Sequence, residues 1–219
     1  MKDEAVHVFV GPTAYRAEVT AGAWTTFHPP VGRGDVDRLV EMHAPSTLVI
    51  VDGVFRDRLA VSPRELLRAL GRGWRVWGLA SMGALRAVEL TSCGMRGFGE
   101  VYDRALGDPH FRDDEVALLH APGPGFQPIT EPLINLRGLI ASLVAKRLLS
   151  EARGGGLEDE LARSWFGARS LRRVIEAVKE QSGAATSQLD SVLEARTWDV
   201  KARDFRAFMG SVATGNHRR

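Results

Sequence analysis

The amino-acid sequence predicts an α/β fold: a doubly wound, mostly parallel sheet of the Rossmann-like or flavodoxin-like kind, followed by a helical C-terminal extension. Three observations predict it. Short apolar runs alternate with helical patterns through the first hundred residues, the reading expected of strand and helix units that feed a parallel sheet. The runs close on small or turn-forming residues, at Gly11-Pro12-Thr13, Asp52-Gly53 and Gly78 to Ala84, and ligands of such sheets bind at that edge. From residue 133 onward only helical spacing persists, which confines the strands to the N-terminal part.

Val6 to Val10 is the first strand; Gly11-Pro12-Thr13 ends it, and a short helix runs through Glu18. Ala23 to Phe27 forms the second strand, Pro29-Pro30 and Gly32 break the chain, and Asp35 opens a helix toward His43. Thr47 to Val51 is a buried strand closed by Asp52-Gly53. Ser62-Pro63-Arg64-Glu65 starts the next helix with a capping serine, a proline in the first turn and a glutamate three residues after the cap; Gly71 stops it. Trp74 to Trp77 is the fourth strand and Met82 to Leu90 the helix after it. Glycines at 94, 97, 99 and 107 and prolines at 122, 124, 128 and 132 then mark a loop-rich passage. Apolar residues at 133, 136, 140, 143, 144 and 148 recur at helical spacing, so that helix buries one face. Arg153-Gly154-Gly155-Gly156 is linker-like and divides a core domain at 1–152 from a helical extension at 157–219, with a break near Gly183 and a polar tail at His217-Arg218-Arg219.

A chain of 219 residues suffices for one domain and an appendage. Its 44% hydrophobic and 26% charged residues exclude a disordered or collagen-like polymer. With 29 basic against 27 acidic residues the net charge is +2, so bulk electrostatics point to no nucleic-acid partner. The single cysteine, Cys93, allows no disulfide framework and suits a reducing compartment. The first residues lack a basic stretch followed by an apolar one, and no run reaches the ~18 apolar residues of a membrane span, so the expectation is a cytoplasmic protein with no membrane partner.

Ser81 stands between a buried strand and a helix rich in small residues, where free backbone N–H groups hold an anion or oxyanion. The G-x-S-x-G elbow is half matched, because Leu79 occupies the first glycine position. The bland alternative is a serine that caps the helix, with Gly83 and Ala84 allowing close packing on the sheet. Arg86 is either a clamp for a carboxylate or thiocarboxylate or a salt-bridged surface arginine. Asp52 is a candidate orienting or acid–base carboxylate, although Asp-Gly is also a common turn pair. Asp114, Glu115 and His120 match no familiar metal spacing and read more readily as a solvated acidic turn. No metal or cofactor is expected: G-x-G-x-x-G after the first strand and G-x-x-x-x-G-K-[ST] are both missing, which disfavours a nucleotide-binding module.

Gly11-Pro12, Pro29-Pro30 with Gly34-Asp35, Val51-Asp52-Gly53 with Phe55, Ala80-Ser81-Met82-Gly83-Ala84-Leu85-Arg86-Ala87, Gly94-Met95 with Gly97, Asp114-Glu115-Val116-Ala117 with His120, and Ile134-Asn135-Leu136-Arg137 together resemble the TfuA-like proteins. The similarity runs colinearly from about residue 6 to about 150. Two departures stand out: Pro63 replaces a histidine that many relatives carry ahead of the acid in that helix, and Leu79 replaces a smaller residue before the serine.

The resemblance implies a partner of YcaO enzymes in peptide backbone thioamidation, where sulfur replaces an amide oxygen of a ribosomally made peptide. It further implies sulfide release from a small sulfur-carrier protein ending in a thiocarboxylate, with the precursor peptide as a possible further partner. Under it, Ser81, Asp52, Glu115 and His120 become catalytic candidates, and Gly11, Gly53, Met82, Gly83, Arg86, Asn135 and Arg137 substrate-binding candidates. The alternative is a non-catalytic adaptor that docks or activates the YcaO enzyme and its peptide through the helical region from 133 onward.

Overall fold

The computed structural model describes residues 5–19, 21–54, 58–123, 125–182 and 186–214. Expectations at Phe55, Pro124, the break at Gly183 and the tail at 217–219 lie outside the described residues. Two compact units emerge, one formed by Met1–Phe111 with Lys201–Arg219, the other by Arg112–Val200.

The first unit alternates strand and helix. Its elements are β1 (Val6–Phe9), α1 (Pro12–Ala17), β2 (Thr25–His28), α2 (Asp35–Met42), β3 (Thr47–Ile50), α3 (Pro63–Gly71), β4 (Arg75–Leu79), α4 (Met82–Leu90), β5 (Arg96–Phe98) and α5 (Glu100–Gly107). All five strands are parallel, in the order β2-β1-β3-β4-β5. β1 and β3 are central and every residue in them is buried, which is why they read as unbroken apolar runs and not as alternating ones. The chain leaves β1 toward β2 and then crosses back to β3, so the order reverses between β1 and β3, where open α/β sheets bind their ligands.

The second unit is helical. Leu133, Leu136, Leu139, Ile140 and Leu143 of α6 (Leu133–Ala145) share a core with Leu157 and Leu161 of α7 (Glu151–Arg163), Val174 and Val178 of α8 (Leu171–Ser182) and Leu189 and Val192 of α9 (Thr186–Ala195). The glycine run 154–156 is helical and lies inside α7. A β-carbon at Gly154 would come within 2.9 Å of Val144 Cγ2, so this glycine serves close packing of α7 on α6. Arg169 is fully buried; its Nε donates to the Leu161 carbonyl at 3.0 Å and its terminal nitrogens to the backbone and carboxylate oxygens of Asp114 at 2.6 and 2.7 Å.

The last helix, α10 (Val200–Ala213), packs within the first unit. One sheet face carries Phe9, Leu48, Ile50 and Val76 against α2, α3 and α4. The opposite face, with Val6, Val8, Val49, Val51 and Leu79, is closed by Ala17 of α1 and by Phe205, Phe208 and Met209 of α10. The doubly wound expectation holds, and part of the helical C-terminal segment supplies a layer of the sandwich. The expected capping box is present: Ser62 Oγ accepts from Glu65 N, and Glu65 Oε1 from Ser62 N at 3.0 Å. β5 and α5 stand where the glycines at 94 to 107 predict loop, since a three-residue edge strand is too short to show a period. Among the described residues no helix is long and apolar enough to cross a membrane.

Candidate functional site

Three bends meet at the carboxyl edge of the sheet, beside the β1/β3 reversal. Asp52 follows β3 and is only 3% exposed. Its Oδ2 accepts the Gly11 and Thr13 backbone N–H groups, each at 2.9 Å, and its Oδ1 accepts the Thr13 hydroxyl at 2.8 Å. The aspartate therefore fastens the glycine bend after β1 to the end of β3. Lys201 in the first turn of α10 brings its ammonium to 3.6 Å from Asp52 Oδ1. Asp52 thus has four positively polarised neighbours fixed around it, a setting that suits an orienting role.

The serine bend docks on the same strand end. The Gly83 N–H donates to the Val51 carbonyl at 3.1 Å, and a β-carbon at Gly53 would lie 2.8 Å from Met82 Cγ. Gly83 has no room for a side chain, because a β-carbon there overlaps the Ile50 carbonyl oxygen. Ala80, the residue before the serine, is held at φ 61°, a left-handed conformation that strains a residue with a side chain. Ser81 takes the N-cap position of α4, yet its side chain makes no capping hydrogen bond. It is 8% exposed. So the packing half of the bland alternative describes Gly83, while the capping half does not describe Ser81. The bond to Val51 also commits the Gly83 N–H, which leaves Met82 as the candidate amide beside the serine.

Arg86 donates from Nε to the Val61 carbonyl at 3.1 Å and from Nη1 to both Glu89 carboxylate oxygens at 2.7 and 2.6 Å. It is a salt-bridged arginine in this structure. The other four candidates belong to the second unit. Glu115 and Arg137 pair side by side, with Arg137 Nε and Nη2 each 3.2 Å from a Glu115 oxygen, and Arg137 also reaches Glu158 at 3.0 Å. Burial works to lower the Arg137 pKa, but the hydrogen bonds and charges of Glu115 and Glu158 outweigh it and raise the value. Asn135 donates through Nδ2 to the buried carboxylates of Glu131 and Asp199, both at 2.9 Å. His120 is exposed, with Nδ1 2.9 Å from the Ala121 carbonyl. An open cleft of about 450 Å³ between α1 and α10 is lined by Glu18, Thr25, Arg206 and Met209, among others, and by none of the candidate residues.

A family model described as TfuA-like protein matches residues 52–170. The chain belongs to this family. No curated protein matches it. Membership of the TfuA-like family carries an association with YcaO enzymes and a role in the thioamidation pathway. The matched segment of this TfuA-like chain starts at Asp52 and includes Ser81, Glu115, His120, Asn135 and Arg137, starting later and ending further along than the resemblance over about 6 to 150 suggests. Gly11, Thr13 and Lys201 lie outside it. Sequence reasoning passed over Thr13 and Lys201. Thr13 was visible inside the Gly11-Pro12-Thr13 turn, whereas no spacing rule ties a lysine at the start of the last helix to a strand end so far upstream.

Proposed function

We propose that this TfuA-like protein delivers sulfur to a YcaO enzyme for thioamidation of a ribosomally made peptide, by hydrolysing the thiocarboxylated end of a small sulfur-carrier protein. The observation that carries this reading is the meeting of the uncapped Ser81 with the Asp52 turn at the reversal point of the sheet. Acyl transfer asks for a nucleophile, an oxyanion donor and a fixed charge. Ser81 is the nucleophile: its oxygen bonds to the thiocarboxylate carbon, the carbon–sulfur bond breaks, and the hydroxyl proton departs with sulfur as HS⁻. Water then cleaves the acyl-serine, returning the hydroxyl and releasing a carboxylate and a proton. The Met82 N–H is the donor to the developing oxyanion. Glu115, Arg137, Asn135 and His120 have internal partners and are assigned no step.

Sulfide release from a peptide ending in a Gly-Gly thiocarboxylate tests the reading. Ser81→Ala is expected to lower the rate by at least about 100-fold while leaving the thermal midpoint in place, since the hydroxyl holds up no other group. A variant that releases sulfide at the wild-type rate removes Ser81 from the mechanism. Should the wild-type protein consume no thiocarboxylate yet still raise YcaO activity with free sulfide supplied, the adaptor function replaces the hydrolase.

A further inference from the structure

Ala80 is the residue of the serine bend that suits its backbone least. Among the described residues, Glu18, Phe126, Arg147 and Arg196 also combine a side chain with a positive φ. Glu18, Arg147 and Arg196 follow the ends of α1, α6 and α9, where a left-handed residue is a common stop, and Phe126 lies in the loop before α6. Ala80 differs from all four in being fully buried and in joining a strand to a helix. The Ser81 N–H donates back to the Leu79 carbonyl at 2.6 Å, so Ala80, at φ 61°, is the centre of a three-residue γ-turn of the rare, strained form. Glycine would adopt this φ without strain, and the chain places glycine nearby at 78 and 83. Alanine offers something else. The left-handed region open to a residue with a β-carbon is small, whereas glycine ranges over both signs of φ, so the methyl confines the turn to one narrow well. That methyl is in turn held in the apolar cluster that contains Val51, Leu79 and Phe205. On the other side of the serine, the Gly83 bond to the Val51 carbonyl fixes the start of α4. Among the described residues the Ser81 hydroxyl has no hydrogen-bond partner, so the backbone on either side sets where the serine stands.

We propose that Ala80 is a positioning residue: its strained γ-turn locks the backbone of Ser81 in the geometry of attack. The strain in the bend thereby fixes a nucleophile that no side-chain bond holds. This rests on the hydrolase reading for the reaction that Ser81 performs, and on the geometry of the bend for the role of Ala80.

Two rates measured on the full chain test it. One is steady-state sulfide release from a peptide ending in a Gly-Gly thiocarboxylate. The other is labelling of Ser81 by a fluorophosphonate, read by mass spectrometry, in which the serine oxygen bonds to phosphorus and fluoride leaves with the hydroxyl proton. Ala80→Gly is expected to lower kcat by about tenfold or more with KM within about twofold, and to slow labelling by a similar factor. Its thermal midpoint is expected to stay within a few degrees of the wild type, because relief of strain opposes the loss of the methyl. Ala80→Ser keeps a β-carbon and its restriction on φ, and is expected to retain most of both rates. An Ala80→Gly protein that keeps the wild-type rates overturns the proposal, as does an Ala80→Ser protein as slow as Ala80→Gly. An Ala80→Gly protein that does not fold, or whose rates fall only together with its thermal midpoint, also overturns it, since the methyl then serves packing. A wild type whose Ser81 takes the label but releases no sulfide removes the hydrolase reading, and the labelling rates then decide the role of Ala80. A wild type that does neither overturns both.

Discussion

A β-carbon at Gly83 overlaps the Ile50 carbonyl oxygen, while one at Gly78 overlaps the Gly83 carbonyl, so the serine bend depends on two adjacent elements that each lack a methyl group. Backbone, unlike a flexible side chain, cannot move aside locally. Gly83→Ala is therefore expected to destabilise the protein by about 3–5 kcal/mol, read as a fall in the urea midpoint with an unchanged slope. Gly155→Ala is the control: its helical site has nothing within 4 Å, and alanine there stabilises by up to ~1 kcal/mol. An equal loss in both variants would mean that close approach to β3 is not what Gly83 provides. Half of the candidate site was legible at this scale. Gly11, Asp52, Ser81 and Gly83 are local signals, since each is a turn or small residue at the end of an apolar run. Lys201 was not, because a long-range ion pair leaves no mark on the spacing around either partner; for Arg86 the i,i+3 pairing with Glu89 lies within one helix, whereas the bond to the Val61 carbonyl is set by packing.

At the scale of elements, α10 holds the start of α5 through Asp204. Its carboxylate oxygens accept the Glu100 and Val101 backbone N–H groups, both at 3.0 Å, and so cap α5 from a distant helix. Gly99 before it, at φ 91°, has no space for a β-carbon against that carboxylate. Asp204→Ala leaves one buried and one half-buried donor unmet and is expected to cost about 1–2 kcal/mol by chemical denaturation. Burial raises the Asp204 pKa from the usual 3.8, its two hydrogen bonds notwithstanding. A raised carboxyl contributes stability at low pH that is lost as pH climbs through its folded value, so the stability of wild type relative to Asp204→Asn is expected to decline from about pH 3.8 upward. A constant difference across that range would contradict the assignment. This arrangement also explains what the sequence concealed. The buried runs of β1 and β3 and the Ser62 capping box announce themselves within a few residues, but the start of α5 is capped by Asp204, about a hundred residues later, and the glycines around β5 and α5 read as loop.

At the scale of the whole first unit, acid sensitivity is expected from a histidine cluster beside the central strand. His7 of β1 is 4% exposed, with Nδ1 3.1 Å from Nε2 of His28 on β2 and its ring centroid 4.7 Å from that of His43. Trp74 and Phe9 close the cluster on the apolar side, and Asp35 is the acidic charge that acts on it, through His28. Desolvation first, then the charges of His43 and His28, lower the His7 pKa from 6.5 to about 4, and burial lowers that of His28 as well. The folded state therefore holds His7 neutral where the unfolded chain binds a proton. Stability is fully present above about pH 6.5 and falls as pH drops toward about 4, by ~3 kcal/mol at most from His7 alone. Because β1 is paired with both β2 and β3, protonation at this point weakens the centre of the sheet, and the loss is expected in the cooperative unfolding of the unit as a whole. His7→Phe removes the titrating group while keeping a ring against Trp74, so its stability should vary less between pH 6.5 and 4 than that of the wild type, whatever its stability at neutral pH. Denaturant midpoints measured across that interval decide the matter: parallel curves for the two proteins would place the acid-sensitive group elsewhere.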